Sequence, residues 1–259
     1  MQTVITVDAW RGIRRDPANA GSTIGFVPTM GALHAGHFSL VERSVAENDR
    51  TVVSVFVNPT QFNDPADLER YPRDLDADRA ALARLGVDYL FLPRYETLYP
   101  DDYRYRVVER ERSTILCGAR RPGHFEGVLT VVLRLLAIVC PHRAYFGEKD
   151  YQQYELVRDM ARSFFLDVEI VPCPIVRDAD GVALSSRNAL LSPEGRVLAA
   201  SFARALREAP SVDAVRRTLA GRGIEIDYVE EHGDRRYGAV VINGVRLIDN
   251  VPRPTTESK

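Results

Sequence analysis

Short apolar runs alternate with helix-spaced apolar positions through the first two thirds of the chain. Ile24 to Val27, Val52 to Val57, Tyr89 to Leu92, Ala144 to Phe146 and Val168 to Val171 predict buried strands. Between them, Gly36 to Glu47, Arg73 to Leu85, Gly127 to Val139 and Tyr151 to Ser163 repeat at helical period, and the third of these is so uniformly apolar that it predicts burial on most sides. Strands alternating with helices imply an α/β domain built on a parallel sheet with right-handed crossovers. Ligands of such sheets bind beyond the carboxyl ends of the strands. The interval from Arg94 to Arg121 is polar, with a short alternating segment near Tyr103 to Val108.

The pattern changes after Pro172 and Pro174, which bracket Cys173 and predict a hinge. Two short helices, Pro193 to Arg207 and Val212 to Arg222, are followed by short strands at Ile224 to Val229, Ala239 to Ile242 and Val245 to Ile248, the last two joined by an Asn243-Gly244 hairpin turn. The expected organisation is therefore a first domain over residues 1–174 and a small α+β domain over residues 175–259, with an unstructured tail after Pro252.

A chain of 259 residues buries a substantial core. A net charge of −2 creates no field that would gather nucleic acid or an anionic membrane, so small-molecule substrates are expected, with no nucleic-acid or membrane partner. The amino-terminal stretch has its apolar run before its arginines, the wrong order for a secretory signal, and the long apolar stretch Val128 to Cys140 is broken by Arg134, so a cytoplasmic protein is expected. Cys117, Cys140 and Cys173 are dispersed and odd in number, which fits reduced thiols. Of the 34 lysines and arginines only Lys149 and Lys259 are lysine. An ammonium is a compact point charge where guanidinium is a flat fork, so Lys149, between Glu148 and Asp150 at a strand-to-helix turn, is a candidate phosphate ligand.

Four segments after predicted strands collect polar groups. Met30-Gly31-Ala32-Leu33-His34-Ala35-Gly36-His37 follows the first strand and opens a helix, where free backbone N–H groups and the helix dipole favour phosphate. Its two imidazoles, at i and i+3, are expected on one helical face, donating to one phosphate chain more strongly when protonated. No further ligand follows at zinc-like spacing, so no metal site is expected there. Asn58 and Gln61 follow the second strand and suit a ligand with hydroxyl and carboxylate groups. Gly147 to Asp150 come next, with Gln152 and Gln153 one turn on, and Leu184, Ser185, Ser186 and Arg187 follow the flexible Asp180-Gly181. Each segment alone also reads as an ordinary turn; their recurrence at one edge of one sheet is what points to a site.

Six stretches, PTMGALHAGHFSLV from Pro28, VSVFVNPTQF from Val53, RYPRDLDAD from Arg70, CGARRPGHFEGVLTVV from Cys117, AYFGEKDYQQ from Ala144 and DGVALSSRN from Asp180, come in the order of a known family. Over about Thr23 to Leu191 the chain resembles the pantoate–beta-alanine ligases, of the HxGH nucleotidyltransferase superfamily related to class I aminoacyl-tRNA synthetases. The resemblance implies a Rossmann-like domain with a small lid domain, a homodimer, and ATP with Mg2+ consumed to join pantoate to beta-alanine through a pantoyl adenylate, releasing AMP and pyrophosphate. It implies that Met30 to His37 bind ATP, with His34 and His37 on the phosphates and His37 the candidate proton donor. Lys149 would bridge the α-phosphate and pyrophosphate, with Gly147, Glu148 and Asp150 beside it, and Val176 and Leu184 to Arg187 would contact adenine and triphosphate. Gln61 and Gln153 would hold the substrate acid, with Asn58, expected from its amide, beside them. Asp76 and Asp78 lie near positions that some members use for an extra metal, which is left aside because Ala77 interrupts the pair. After Arg196 only Arg246 to Asn250 match clearly, so a shortened second domain is expected. Two other activities fit the same motifs: another HxGH adenylyltransferase, and a non-catalytic nucleotide-binding paralogue.

Overall fold

The computed structural model describes residues 1–253. The chain divides into two compact units: Met1–Glu148 with Gln152–Cys173, and Lys149–Tyr151 with the chain from Pro174 onward. Of the expected unstructured tail after Pro252, Arg253 is tied down, its N–H donating to the Asp234 carbonyl at 2.7 Å, and the rest lies outside the described residues.

The first unit is a six-stranded, wholly parallel sheet in the order β1-β4-β3-β2-β5-β6. The strands are β1 (Gln2–Val4), β2 (Ile24–Thr29), β3 (Arg50–Val55), β4 (Tyr89–Phe91), β5 (Arg143–Gly147) and β6 (Glu169–Cys173). From β2 the chain runs outward through β3 and β4 on one side and, after crossing, through β5 and β6 on the other, with β1 at the edge beyond β4, so the topological switch lies between β2 and β5, the position at whose carboxyl ends such sheets bind ligands. The helices are α1 (Val7–Arg15), α2 (Ala35–Glu47), α3 (Pro65–Arg70), α4 (Leu75–Arg84), α5 (Tyr95–Leu98), α6 (Cys117–Arg120), α7 (His124–Val139) and α8 (Tyr151–Ser163). A core of Val27, Val41, Val53, Leu82, Leu90 and Tyr145 joins α2 and α4 to the sheet.

Every expected strand and helix of this unit is present, with ends shifted by a few residues. The strand β1 and the helix α1 were not foreseen; Trp10 anchors α1, its indole N–H donating to the Val139 carbonyl at 3.3 Å. The alternating segment Tyr103 to Val108 is not a strand. The expected hinge residue Pro172 lies inside β6, at the sheet edge, where a missing N–H breaks no ladder.

Arg134, the charge that interrupts α7, is anchored. Its two terminal nitrogens grip Asp101 at 2.6 and 3.1 Å, it donates to the Tyr105 carbonyl at 3.0 Å, and its guanidinium lies 4.8 Å from the Tyr99 ring centre. One arginine thus ties the polar loop after α5 to the buried helix.

In the second unit, α9 (Pro193–Glu208) and α10 (Val212–Ala220) pack on an antiparallel sheet of β7 (Glu225–His232), β8 (Arg235–Ile242) and β9 (Val245–Pro252). Phe202, Leu206, Leu219, Val229 and Val240 form its core. The turn between β8 and β9 is Asn243-Gly244, with φ +52° and +76°, the left-handed pair a tight hairpin needs. Arg236, 1% exposed, pairs with Glu231 and donates to the last carbonyls of α9, a cation where the helix dipole favours one.

Candidate active site

The turn from β2 into α2 is built from backbone. Thr29 donates to the Ser54 carbonyl at 2.8 Å, fixing the end of β2 on β3, and accepts from the Gly31 N–H at 3.2 Å. Gly31 and Ala32 then adopt φ of +80° and +50°. Glycine takes that conformation freely, while alanine is strained in it by about 1 kcal/mol. Asp78 of α4, 3% exposed, compensates: its carboxylate accepts from the Ala32 and Leu33 N–H groups at 2.9 and 2.8 Å. Burial raises the Asp78 pKa, and the two N–H donors partly oppose that rise.

His34 and His37 meet differently from the expected helical stripe. His34 has extended backbone (φ −138°, ψ 176°) and is the N-cap of α2, so it precedes the helix. Its Nδ1 accepts from the Gly36 N–H at 3.1 Å, and the Nδ1 of His37 accepts from the His34 N–H at 3.4 Å. This is a capping box made from two imidazoles, with ring centres 4.1 Å apart. A nitrogen that accepts from a backbone N–H carries no proton itself, so each neutral ring carries its proton on Nε2 and donates from there. Protonation of either ring at Nδ1 would set a second N–H against its capped amide.

At the end of β3, Asn58 is 1% exposed and fully used. Its amide nitrogen donates to Gln61 Oε1 at 3.0 Å and to the Gly127 carbonyl at 3.2 Å, and its oxygen accepts from the Tyr99 hydroxyl at 2.8 Å. Burial pushes the Tyr99 phenol up to about 12, so it remains a donor. The Gln61 amide nitrogen reaches Met30 Sδ at 3.1 Å, which joins the amide pocket to the β2–α2 turn. The Gln61 carbonyl accepts from His124 Nδ1 at 2.8 Å and from Arg121 at 3.3 Å. Gly127 lets α7 touch this turn, for a Cβ there would lie 2.5 Å from the Thr60 carbonyl oxygen. Asn58 thus orients Gln61. In α8, Gln152 is committed to the loop before α6, bonding Cys117 N–H and the Arg112 and Ile115 carbonyls, while Gln153 is half-buried.

The strand β5 ends at Gly147, and Glu148–Asp150 form a 3₁₀ turn. Lys149 belongs to the second unit, its ammonium 3.7 Å from Asp150. In the same unit the Leu184 N–H donates to the Val176 carbonyl at 3.0 Å, which brings those two expected adenine contacts side by side. Ser185 caps the 3₁₀ segment Ser186–Leu190, its hydroxyl accepting from the Arg187 N–H at 3.2 Å. The expected residues therefore fall into two groups: His34, His37, Asn58, Gln61 and Gln153 in the first unit, and Lys149, Val176 and Leu184 to Arg187 in the second.

A model of the family described as pantoate-beta-alanine ligase matches residues 2–252. A pantothenate synthetase of Bdellovibrio bacteriovorus is 51% identical over 243 residues, covering 94% of each chain. The chain belongs to the pantoate-beta-alanine ligase family. A pantothenate synthetase of Coxiella burnetii is 49% identical, covering 94% of this chain and 93% of that one. Among solved structures, a pantoate-beta-alanine ligase from Francisella tularensis, complexed with beta-gamma ATP and beta-alanine, superposes with TM-score 0.93 at 41% identity, covering 98% of both chains. The pantothenate synthetase of Thermus thermophilus gives TM-score 0.89 at 44% identity, covering 97% of this chain and 99% of that one.

The sequence does not foretell the role Asp78 plays at the β2–α2 turn. Asp78 shares a helical face with buried Ala81 and Leu82, and a lone acid on an apolar stripe was the available signal. Both of its oxygens serve the β2–α2 turn, and among the described residues no three His, Cys, Asp or Glu side chains are grouped to hold a metal ion. Tyr99, Arg121 and His124 support Asn58 and Gln61 from far along the chain; Arg121 and His124 lie in the matched stretch from Cys117, but nothing local marks these contacts.

Proposed function

We propose that this ligase condenses pantoate with beta-alanine in two steps, through a pantoyl adenylate, releasing pyrophosphate and then AMP. The observation that carries the proposal is the contact between Gln61 and Met30, which sets the carboxamide pocket against the HxGH turn, so that an acid held by one lies beside a nucleotide held by the other. In the first step a pantoate carboxylate oxygen attacks the α-phosphorus in line, and the bond to the β-phosphate bridging oxygen breaks. The carboxylate is ionised at neutral pH, so this step needs positioning and charge neutralisation and no base. His34 and His37 donate from Nε2 to the phosphates, a role their capping bonds support. Lys149 neutralises charge on the α-phosphate and the departing pyrophosphate, Arg187 with Ser185 and Ser186 binds the triphosphate, and Val176 and Leu184 flank adenine. Gln61 and Gln153 hold pantoate. In the second step the beta-alanine amine attacks the acyl carbon, AMP leaves with the electron pair, and the amine proton passes to solvent.

Magnesium enters as part of the MgATP substrate, a part of the proposal that rests on the family resemblance. The proposal includes a homodimer and a cytoplasmic location, both resting on the family resemblance; no helix among the described residues is long and apolar enough to cross a membrane. Light scattering is expected to give twice the 29.0 kDa chain mass, and a monomer would remove the dimer from the account.

The test is product analysis with ATP, magnesium, pantoate and beta-alanine. Equal yields of pantothenate, AMP and pyrophosphate are expected. ADP and phosphate, a dinucleotide-like product, or no turnover would overturn the reading, and the last two are what the two alternative activities would give. Lys149→Ala is expected to lower kcat on the order of a hundredfold.

A further inference from the structure

Lys149 sits between β5 and α8 in sequence, yet Lys149–Tyr151 pack with the second unit. The cause is at the far end of the chain. Asn250, on β9, is 2% exposed, and its amide nitrogen donates to the Lys149 carbonyl at 2.9 Å. Its amide oxygen accepts from the Arg235 guanidinium, and that guanidinium lies 3.8 Å from the centre of the Tyr151 ring. Arg235 therefore does two things: it fixes which way the Asn250 amide points, and it stacks on the residue two beyond Lys149. The backbone under Asn250 is fixed in turn. Asp249, 4% exposed, accepts from the Asn250 N–H at 2.8 Å and holds Arg177 at 2.7 and 2.9 Å, and Arg177 also donates to the Asn250 carbonyl at 3.3 Å.

A lysine on a four-carbon stem is imprecise unless its backbone is fixed, because each free rotamer dilutes the productive one. A buried carboxamide is well suited to fixing it. The group is neutral at every working pH, and its two ends demand one donor and one acceptor, so it sets a single orientation. From these contacts we propose that Asn250, oriented by Arg235, is a positioning residue for Lys149. Asp249 and Asn250, in the one stretch after Arg196 where the family resemblance is clear, thereby acquire a reason. The inference rests on the proposed role of Lys149 and names the device that places it.

The test compares Asn250→Asp, Arg235→Met and Lys149→Ala in the full-length ligase, reading kcat, the KM of each substrate and thermal stability. Asn250→Asp keeps the shape and the Arg235 pairing but sets an oxygen against the Lys149 carbonyl. It is expected to lower kcat at least tenfold with KM for pantoate and beta-alanine within about twofold, and to add little in the Lys149→Ala background, since both changes act through one ammonium. A folded Asn250→Asp variant with parental kcat, or losses that multiply in the double variant, would overturn the proposal while leaving Lys149 its role. If Asn250→Asp does not fold, Arg235→Met is read by the same criteria. Parental activity in Lys149→Ala would overturn both the role and its positioning device.

Discussion

At the scale of single residues, the two histidines have separable duties, because the capping nitrogen and the donating nitrogen lie on opposite sides of each ring. His37→Asn places an amide oxygen near the Nδ1 position but has nothing at Nε2. It is expected to keep thermal stability within about 1 kcal/mol of the parent and to lose roughly a hundredfold in kcat. Equal losses in both would mean that the ring serves the fold alone. Asp78→Asn keeps one acceptor for the Ala32 and Leu33 amides and turns an NH2 toward the other. A cost of about 1 to 3 kcal/mol in unfolding free energy is expected, with a raised KM for ATP; an unchanged KM would separate Asp78 from the nucleotide turn. The HxGH motif itself was legible, since two of the five histidines fall three residues apart after a strand. The use of His34 as a cap was not, because a helix boundary shifted by one residue changes which backbone groups need partners.

At the scale of elements, α7 is the part whose sequence was read most easily and understood least. Its apolar run announced burial, and Arg134 read as an interruption of it. Gly127 is the point where α7 meets the turn that carries Gln61, and Arg134 is the anchor for the loop after α5. Neither role is visible locally, since both partners lie more than thirty positions away in sequence. Gly127→Ala is expected to push the Gln61 turn aside and to raise the pantoate KM about tenfold or more; steady-state kinetics with the KM for ATP as control checks it. For Arg134, the paired carboxyl of Asp101 is held below its ordinary value near 3.8, chiefly by the hydrogen bond from Arg134. A depressed acid stabilises the fold fully above that ordinary value, and the contribution is lost as pH falls through the folded value. Arg134→Met is therefore expected to lower stability at neutral pH and to flatten the fall in stability below about pH 4, where the parent loses this pair. Denaturation curves at pH 7 and pH 3 decide it, and an unchanged acid slope would contradict the assignment.

At the scale of the whole molecule, alternation of strands and helices was enough to foresee a parallel sheet with a separate α+β unit. The partition of the chain between those units was not foreseeable. A break near Pro174 is what composition suggests, whereas long-range bonds from β9 and β8 draw Lys149–Tyr151 into the second unit. Contacts of that separation leave no trace in a local pattern. The central claim of the proposed chemistry is that carboxylate oxygen is transferred to the nucleotide. Pantoate labelled with heavy oxygen in its carboxylate tests this directly. Turnover with ATP and beta-alanine is expected to leave one labelled oxygen in the phosphate of AMP and one in the pantothenate amide; AMP free of label would contradict an acyl adenylate.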